Sequence, residues 1–186
     1  MLTTEILDIV IKLFERHKIE YMITGSFAGN LHGVPRATFD ADIVIKTSTE
    51  PFKDFLHEIA TEFYVECESP QEILCQQKIF YIIHYKTGFK FDIIPIINRK
   101  YSIVEFSRRK LVDFMGLKCW FASPEDTILA KLEWAKMGNS ERQFNDALGI
   151  AKVQGNNLDW SYLEEWSNEL SVFIFPKRIK EQIGDV

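Results

Sequence analysis

The sequence predicts an α+β fold, a β-sheet domain that carries a helical C-terminal part. Three observations point there. Short runs rich in branched and aromatic residues recur over residues 21–121, two of them joined by the turn residues Lys86-Thr87-Gly88. Amphipathic helical spacing interrupts those runs. From Ser123 onward the strand-like runs stop, and three helical segments follow. The chain has 186 residues, 46% hydrophobic and 13% aromatic, which suits one ordinary globular core without staples. A core over 1–122 with a helical part over 123–186 packed on it, forming one structural unit, is the expected organisation.

Taken in order, Leu2, Ile6, Ile9, Val10, Leu13 and Phe14 share one face of a first helix, with Asp8, Lys12 and Glu15 between them. Residues 21–24 are β-prone and stop at Gly25-Ser26; a brief helix over about 27–31 ends at Gly33-Val34-Pro35. Residues 38–46 alternate as a strand, placing Phe39, Ala41 and Ile43 on one face and Asp40 and Asp42 on the other. Pro51 suits the first turn of a helix running to about Phe63. Ser69-Pro70-Gln71-Glu72 combines a cap, an N1 proline and an N3 glutamate. Residues 79–85 and 89–97 form a hairpin, and a weaker strand pair over 111–121 flanks Met115-Gly116. Helices are expected from Ser123-Pro124 to about 137, from Glu141 to about 153, and from the cap Asp159 to about 170. Phe173, Ile174 and Phe175 read as a strap on the body. Trp134, Trp160 and Trp166 read as helix packing residues, and Trp120 as sheet core.

The formal charge of -5 carries no bulk signature of a nucleic-acid binder. Arg108-Arg109-Lys110 and Lys177-Arg178-Lys180 read as solvated surface, the former being where a basic groove would be sought. Cys67, Cys75 and Cys119 are odd in number and lack C-x-x-C spacing, as expected of reduced, mostly buried thiols in a cytoplasmic protein. No signal-peptide pattern appears, and no apolar run approaches the roughly 20 residues that cross a bilayer. A soluble cytoplasmic protein without a membrane partner is expected.

Asp40 and Asp42 lie about 7 Å apart along one strand face and repel unless something cationic sits between them. Hard oxygen donors suit magnesium, and such pairs serve two-metal phosphoryl chemistry. An Asp-x-Asp pair also arises by chance, and an exposed strand face is the competing reading. Ile43 and Ile45 opposite the acids mark a strand laid on a core. Asp92 lies in the apolar run 89–95, where an acid is costly unless paired or metal-bound. Its structural alternative is a salt bridge to Lys90 or Arg99. Gly25-Ser26 lets backbone amides approach a phosphate, or is simply a turn. His17, His32, His57 and His84 show no metal spacing, and His32 reads as a structural loop residue.

Ile23-Thr24-Gly25-Ser26, thirteen further residues, then Asp40-Ala41-Asp42-Ile43 resembles the signature of the polymerase-β-type nucleotidyltransferase superfamily, with Asp92 as the third acid. The stretch 28–38, with Arg36 and Thr38 before the acidic pair, is similar to the AbiEii-type abortive-infection branch and its small stand-alone relatives. Ser123-Pro124-Glu125-Asp126 through Lys131 resembles that branch's third motif, and Arg142-Gln143-Phe144-Asn145-Asp146 its fourth. Ser26 and Asn145 depart from the residues often found at those places. The resemblance covers about residues 21–170.

It implies a mixed sheet flanked by helices, and transfer of a nucleoside monophosphate from a nucleoside triphosphate to a hydroxyl. By the same resemblance Asp40, Asp42 and Asp92 hold two magnesium ions, and Asp92 helps deprotonate the acceptor. Gly25 and Ser26 cradle phosphates, Arg36 and Lys131 neutralise the leaving pyrophosphate, and Thr38 and Asp146 belong to the nucleotide site. Lys131 equally reads as a partner of Glu125 or Glu133, and Arg142 and Asp146 share a helix face. The implied acceptor is RNA, protein or a small molecule, in a toxin–antitoxin or phage-defence setting with a cognate partner protein. A non-catalytic nucleotide- or partner-binding module and a two-metal nuclease remain as alternatives.

Overall fold

A computed structural model describes residues 3–66 and 69–183; Leu2 and Cys67 lie outside the described residues. In chain order the elements are α1 (Thr3–Arg16), β1 (Glu20–Thr24), α2 (Gly25–His32), β2 (Asp40–Lys46), α3 (Thr49–Ile59), β3 (Phe63–Val65), α4 (Pro70–Gln76), β4 (Phe80–His84) and β5 (Lys90–Pro95). There follow α5 (Lys100–Ser107), β6 (Lys110–Phe114), β7 (Leu117–Phe121), α6 (Pro124–Gly138), α7 (Glu141–Gln154), a 3-10 turn (Gly155–Asn157), α8 (Trp160–Glu169) and α9 (Ile174–Ile183). The fold is α+β, with a mixed sheet flanked by helices. Packing divides the chain into two compact units, Met1–Thr24 with Thr38–Phe121, and Gly25–Ala37 with Ala122–Val186.

The first unit is built on a seven-stranded sheet in the order β3-β4-β5-β2-β1-β7-β6. β2 runs parallel to β5 and β1 parallel to β7, while the other neighbours are antiparallel. Alternation sets which face is core: Ala41, Ile43 and Ile45 of β2 and Phe91 and Ile93 of β5 are buried. Ile6, Leu7, Val10 and Phe14 of α1 and Phe52, Phe55 and Ile59 of α3 are buried at helical spacing. Phe14 stacks on Phe55 at 4.8 Å, Phe52 meets Phe80 edge-on at 5.3 Å, and Phe63 meets Phe91 at 6.0 Å. Each such ring contributes about 1.5–3 kcal/mol by leaving water, so these aromatics anchor the sheet.

The second unit is helical. Phe27 and Ala28 of α2, Ile128, Leu129 and Leu132 of α6, and Phe144, Ala147 and Ala151 of α7 are buried. Gly33 lets α2 approach α7 closely, because a Cβ there would stand 2.9 Å from Ile150 Cγ1 and 3.0 Å from its backbone nitrogen. His32 Nε2 bonds the Ala122 carbonyl at 2.8 Å, and Gln154 Nε2 donates to the His32 carbonyl at 2.7 Å, which ties down the end of α2. His32 thus closes α2 instead of standing in a loop, with its ring held by a backbone carbonyl.

Several expectations are corrected. The helix expected to reach Phe63 ends at Ile59, and Phe63–Val65 is an edge strand paired to His84, Ile83 and Ile82. α5 lies where the sequence carries no helical signal; buried Tyr101 and Phe106 anchor it. The C-terminal apolar triplet packs back through Phe175 alone, which meets Phe144 at 5.9 Å; Phe173 and Ile174 are exposed, and the helix that follows buries Pro176 and Ile179. Phe39 lies outside β2 and is 85% exposed. Trp134 is exposed rather than packed, and half-buried Trp120 carries the Arg109 guanidinium at 5.1 Å rather than joining the core. Cys75 is exposed and Cys119 buried. Burial pushes the Cys119 thiol up to about 11, so it is no nucleophile near neutrality.

Candidate active site

The acidic residues belong to the first unit. Ala41, Ile43 and Ile45 pin β2 to the core, so Asp40 and Asp42 emerge together on the other, half-buried face. β5 repeats the pattern: Phe91 and Ile93 point inward, and Lys90 and Asp92 share the opposite face. The parallel register aligns Asp40 with Lys90 and Asp42 with Asp92. Neighbouring strands lie about 4.8 Å apart, so Asp42 and Asp92 stand side by side, distant in sequence but adjacent in the sheet. Thr24 is opposite Asp42 on β1, and Tyr81 is opposite Asp92 on β4, completing a row across four strands.

Hydrogen bonds hold Asp40 and Asp92 in place. Thr38 Oγ1 donates to Asp40 Oδ1 at 2.8 Å. Lys90 Nζ donates to Asp92 Oδ2, also at 2.8 Å, which is the salt bridge weighed as the structural alternative. That hydrogen bond raises the Lys90 pKa, the charges of Asp92, Asp40 and Asp42 raise it further, and partial burial opposes them. Among the described residues, no group of three or more histidine, cysteine or acidic side chains is gathered closely enough to hold a metal ion by itself. The donors present are carboxylate oxygens, two of them in register and a third two residues along the same face. Magnesium is commonly held by one or two carboxylates with substrate phosphates supplying other ligands. The set fits an ion that arrives with phosphate, not a closed protein cage.

The other expected residues belong to the second unit. Gly25 begins α2 at φ 60°, a left-handed conformation that glycine adopts without strain. Arg36 sits in a loop clamped by Asn30, whose Oδ1 accepts from the Arg36 amide at 3.0 Å and whose Nδ2 donates to its carbonyl at 2.7 Å. The Arg36 guanidinium donates to Ser26 Oγ at 2.9 Å and to Asp146 Oδ2 at 3.2 Å. Lys131, only 3% exposed, donates to Asp146 Oδ2 at 2.9 Å and to Gln143 Oε1 at 3.2 Å. These are its partners in place of Glu125 or Glu133. Gly29 makes room for the lysine stem, since a Cβ there would stand 3.0 Å from Lys131 Cε.

Burial works against ionisation of Asp146, but its hydrogen bond and charge attraction to Lys131, then those to Arg36, outweigh it and hold the carboxyl below its ordinary range. Ser26, Gly29, Asn30, Val34, Arg36 and Asp146 line a small pocket. Ser26, Arg36, Lys131 and Asp146 are thus one network, while Arg142 is exposed and Asp146 bonds Arg36 and Lys131 instead. Asn30 and Gln143 escaped sequence reading. Elsewhere, Arg109 lies over Phe106 at 4.2 Å and bonds Glu20 at 2.7 Å. No helix among the described residues is long and apolar enough to cross a membrane.

No family model matches the sequence, and no curated protein matches it. Solved structures do. The chain is similar to the antibiotic-resistance factor ANT(2'')-Ia, with a TM-score of 0.61 and 11% identity over 97% of this chain and 100% of that one. An antigenic nucleotidyltransferase-like protein from Paracoccidioides brasiliensis gives 0.59 and 16%, over 93% and 91%. The lincosamide antibiotic adenylyltransferase LnuA gives 0.56 and 14%, over 82% and 98%. At such identities the likeness is one of backbone, and it establishes that the chain has the nucleotidyltransferase fold.

Proposed function

We propose that the chain is a magnesium-dependent nucleotidyltransferase that moves a nucleoside monophosphate from a nucleoside triphosphate to a hydroxyl acceptor. The observation that carries this reading is the register of Asp42 beside Asp92 on adjacent parallel strands, within a nucleotidyltransferase fold. Asp40, Asp42 and Asp92 would hold two magnesium ions, which when bound supply positive charge to the triphosphate and acidify the attacking hydroxyl. Asp92 accepts that hydroxyl's proton. A bond forms between the acceptor oxygen and the α-phosphorus, and the bond to the β-phosphate oxygen breaks, releasing pyrophosphate. Thr38 orients Asp40 through its hydrogen bond. Gly25 and Ser26 offer amides and a hydroxyl to phosphate oxygens at the start of α2. Arg36 and Lys131 balance the charge of the leaving group, and Asp146 keeps both in place.

LnuA is a lincosamide adenylyltransferase, and ANT(2'')-Ia has been captured with adenylyl-2''-tobramycin. Small hydroxylated molecules therefore stand beside RNA and protein as acceptors to be tried. The similarity of residues 28–38 to the AbiEii-type branch extends the proposal to a cytoplasmic toxin–antitoxin or phage-defence role with a cognate partner protein. The Lys90–Asp92 ion pair favours a second reading, a non-catalytic nucleotide-binding or partner-binding module in which Asp92 is structural.

Incubation with labelled triphosphates, magnesium and cell extract separates these readings. Transfer of label by the wild type should fall at least about a hundredfold in Asp42→Asn, as expected when a ligand of the metal-dependent step is lost. Triphosphate binding without transfer, across all four bases and all three acceptor classes, would identify the module. Degradation of nucleic acid without triphosphate would point to a nuclease.

A further inference from the structure

Lys90 is placed where a surface lysine has no need to be. It is the register partner of Asp40 and lies two residues before Asp92, so its side chain shares a sheet face with all three acids. Its ammonium bonds Asp92 Oδ2 at 2.8 Å, with the lysine side chain 39% exposed and the carboxylate 22%. Three carboxylates on one face repel one another, and a single ammonium among them relieves part of that repulsion.

We propose that Lys90 is a positioning residue that holds Asp92 in the ion-free protein, in the charge environment a divalent ion takes over, so that ion entry requires Lys90 to release Asp92. This rests on the reading of Asp40, Asp42 and Asp92 as ion-binding carboxylates. Lys90 weakens ion binding in two ways: its charge repels the incoming cation, and its hydrogen bond occupies an oxygen that would be a ligand. A triphosphate carries its own negative charge to the site, so ion and nucleotide bind better together than the ion binds alone. The pair that looks like an argument for a structural Asp92 becomes a device that keeps the bare site from loading without substrate.

The test is Mn2+ binding in the absence of nucleotide, measured by electron paramagnetic resonance of the free ion and needing no turnover. Lys90→Met and Lys90→Gln should each bind Mn2+ about tenfold more tightly than wild type, the scale of removing one nearby like charge at moderate ionic strength. Lys90→Arg, which keeps the charge, should stay near wild type, and Asp42→Asn should lose the site. If both neutral variants bind no tighter while Asp42→Asn still loses Mn2+, the Lys90 inference is overturned and the carboxylate reading stands. If Asp42→Asn binds as wild type does, the carboxylate reading fails and takes the inference with it.

Discussion

Asp146 shows how a single side chain sets the state of two others. It receives Lys131 at 2.9 Å and Arg36 at 3.2 Å, and Lys131 is almost wholly buried. Asp146→Asn would leave that ammonium without its counter-charge, a change that costs about 3 kcal/mol when a buried pair is broken. Urea denaturation at pH 7 should register the loss. The folded pKa of Asp146 lies below its ordinary value, so its stabilisation is fully present above about pH 4 and disappears as pH falls through the depressed value. The gap between wild type and Asp146→Asn should therefore narrow in acid, and a gap that widened there would contradict the pairing. Much of this network was legible, because Ser26, Arg36, Lys131 and Asp146 all fell within recognisable motifs. What was not legible was who bonds whom. Arg142 was the natural sequence partner of Asp146, yet the contacts are made 15 and 110 residues away. Helix spacing lists neighbours on one helix; it is blind to those on the next.

Helices announced themselves where a side chain caps them. Ser69, Ser123, Ser140 and Asp159 each accept an amide of the first turn, and the helices they open were all foreseen. α5 has no side-chain cap at Arg99 and spans eight residues; its buried Tyr101 and Phe106 anchor it, a tertiary cause that local pattern does not express. β3 is missed for a related reason: three residues with one buried ring are too few to show a period. The C-terminal triplet misleads because Phe173-Ile174-Phe175 is continuous, whereas burial falls on Pro176 and Ile179 of a helix. The cap of α6 has a further consequence, since that helix carries Lys131. Ser123 is fully buried, accepts from the Asp126 amide at 3.1 Å and donates to the Asp126 carboxylate at 2.6 Å. Ser123→Ala should cost about 1–2 kcal/mol, read as a lowered thermal midpoint, because a buried amide and carboxylate both lose a partner.

At the scale of the whole molecule, the division into units follows space and not sequence. Residues 25–37 leave the sheet unit immediately after β1, and the chain rejoins that unit just ahead of Asp40. Composition does not change at Gly25 or Ala37, so that excursion leaves no mark in the sequence. The parallel pairings β2 with β5 and β1 with β7 were equally hidden, since nothing local ties strands so far apart in sequence. They decide where the acids sit: β5 and β2 are the third and fourth of seven strands, with β3 and β6 at the margins. Amide hydrogen exchange under native conditions should find Ala41, Ile43, Phe91 and Ile93 among the slowest to exchange and β3 and β6 among the fastest; equal rates at centre and margin would contradict the sheet order. Heat or denaturant then frays this sheet from the outside inward. The spacing of Asp42 and Asp92 should survive until the last cooperative step, so that partial damage at the margins leaves the chemistry's geometry standing.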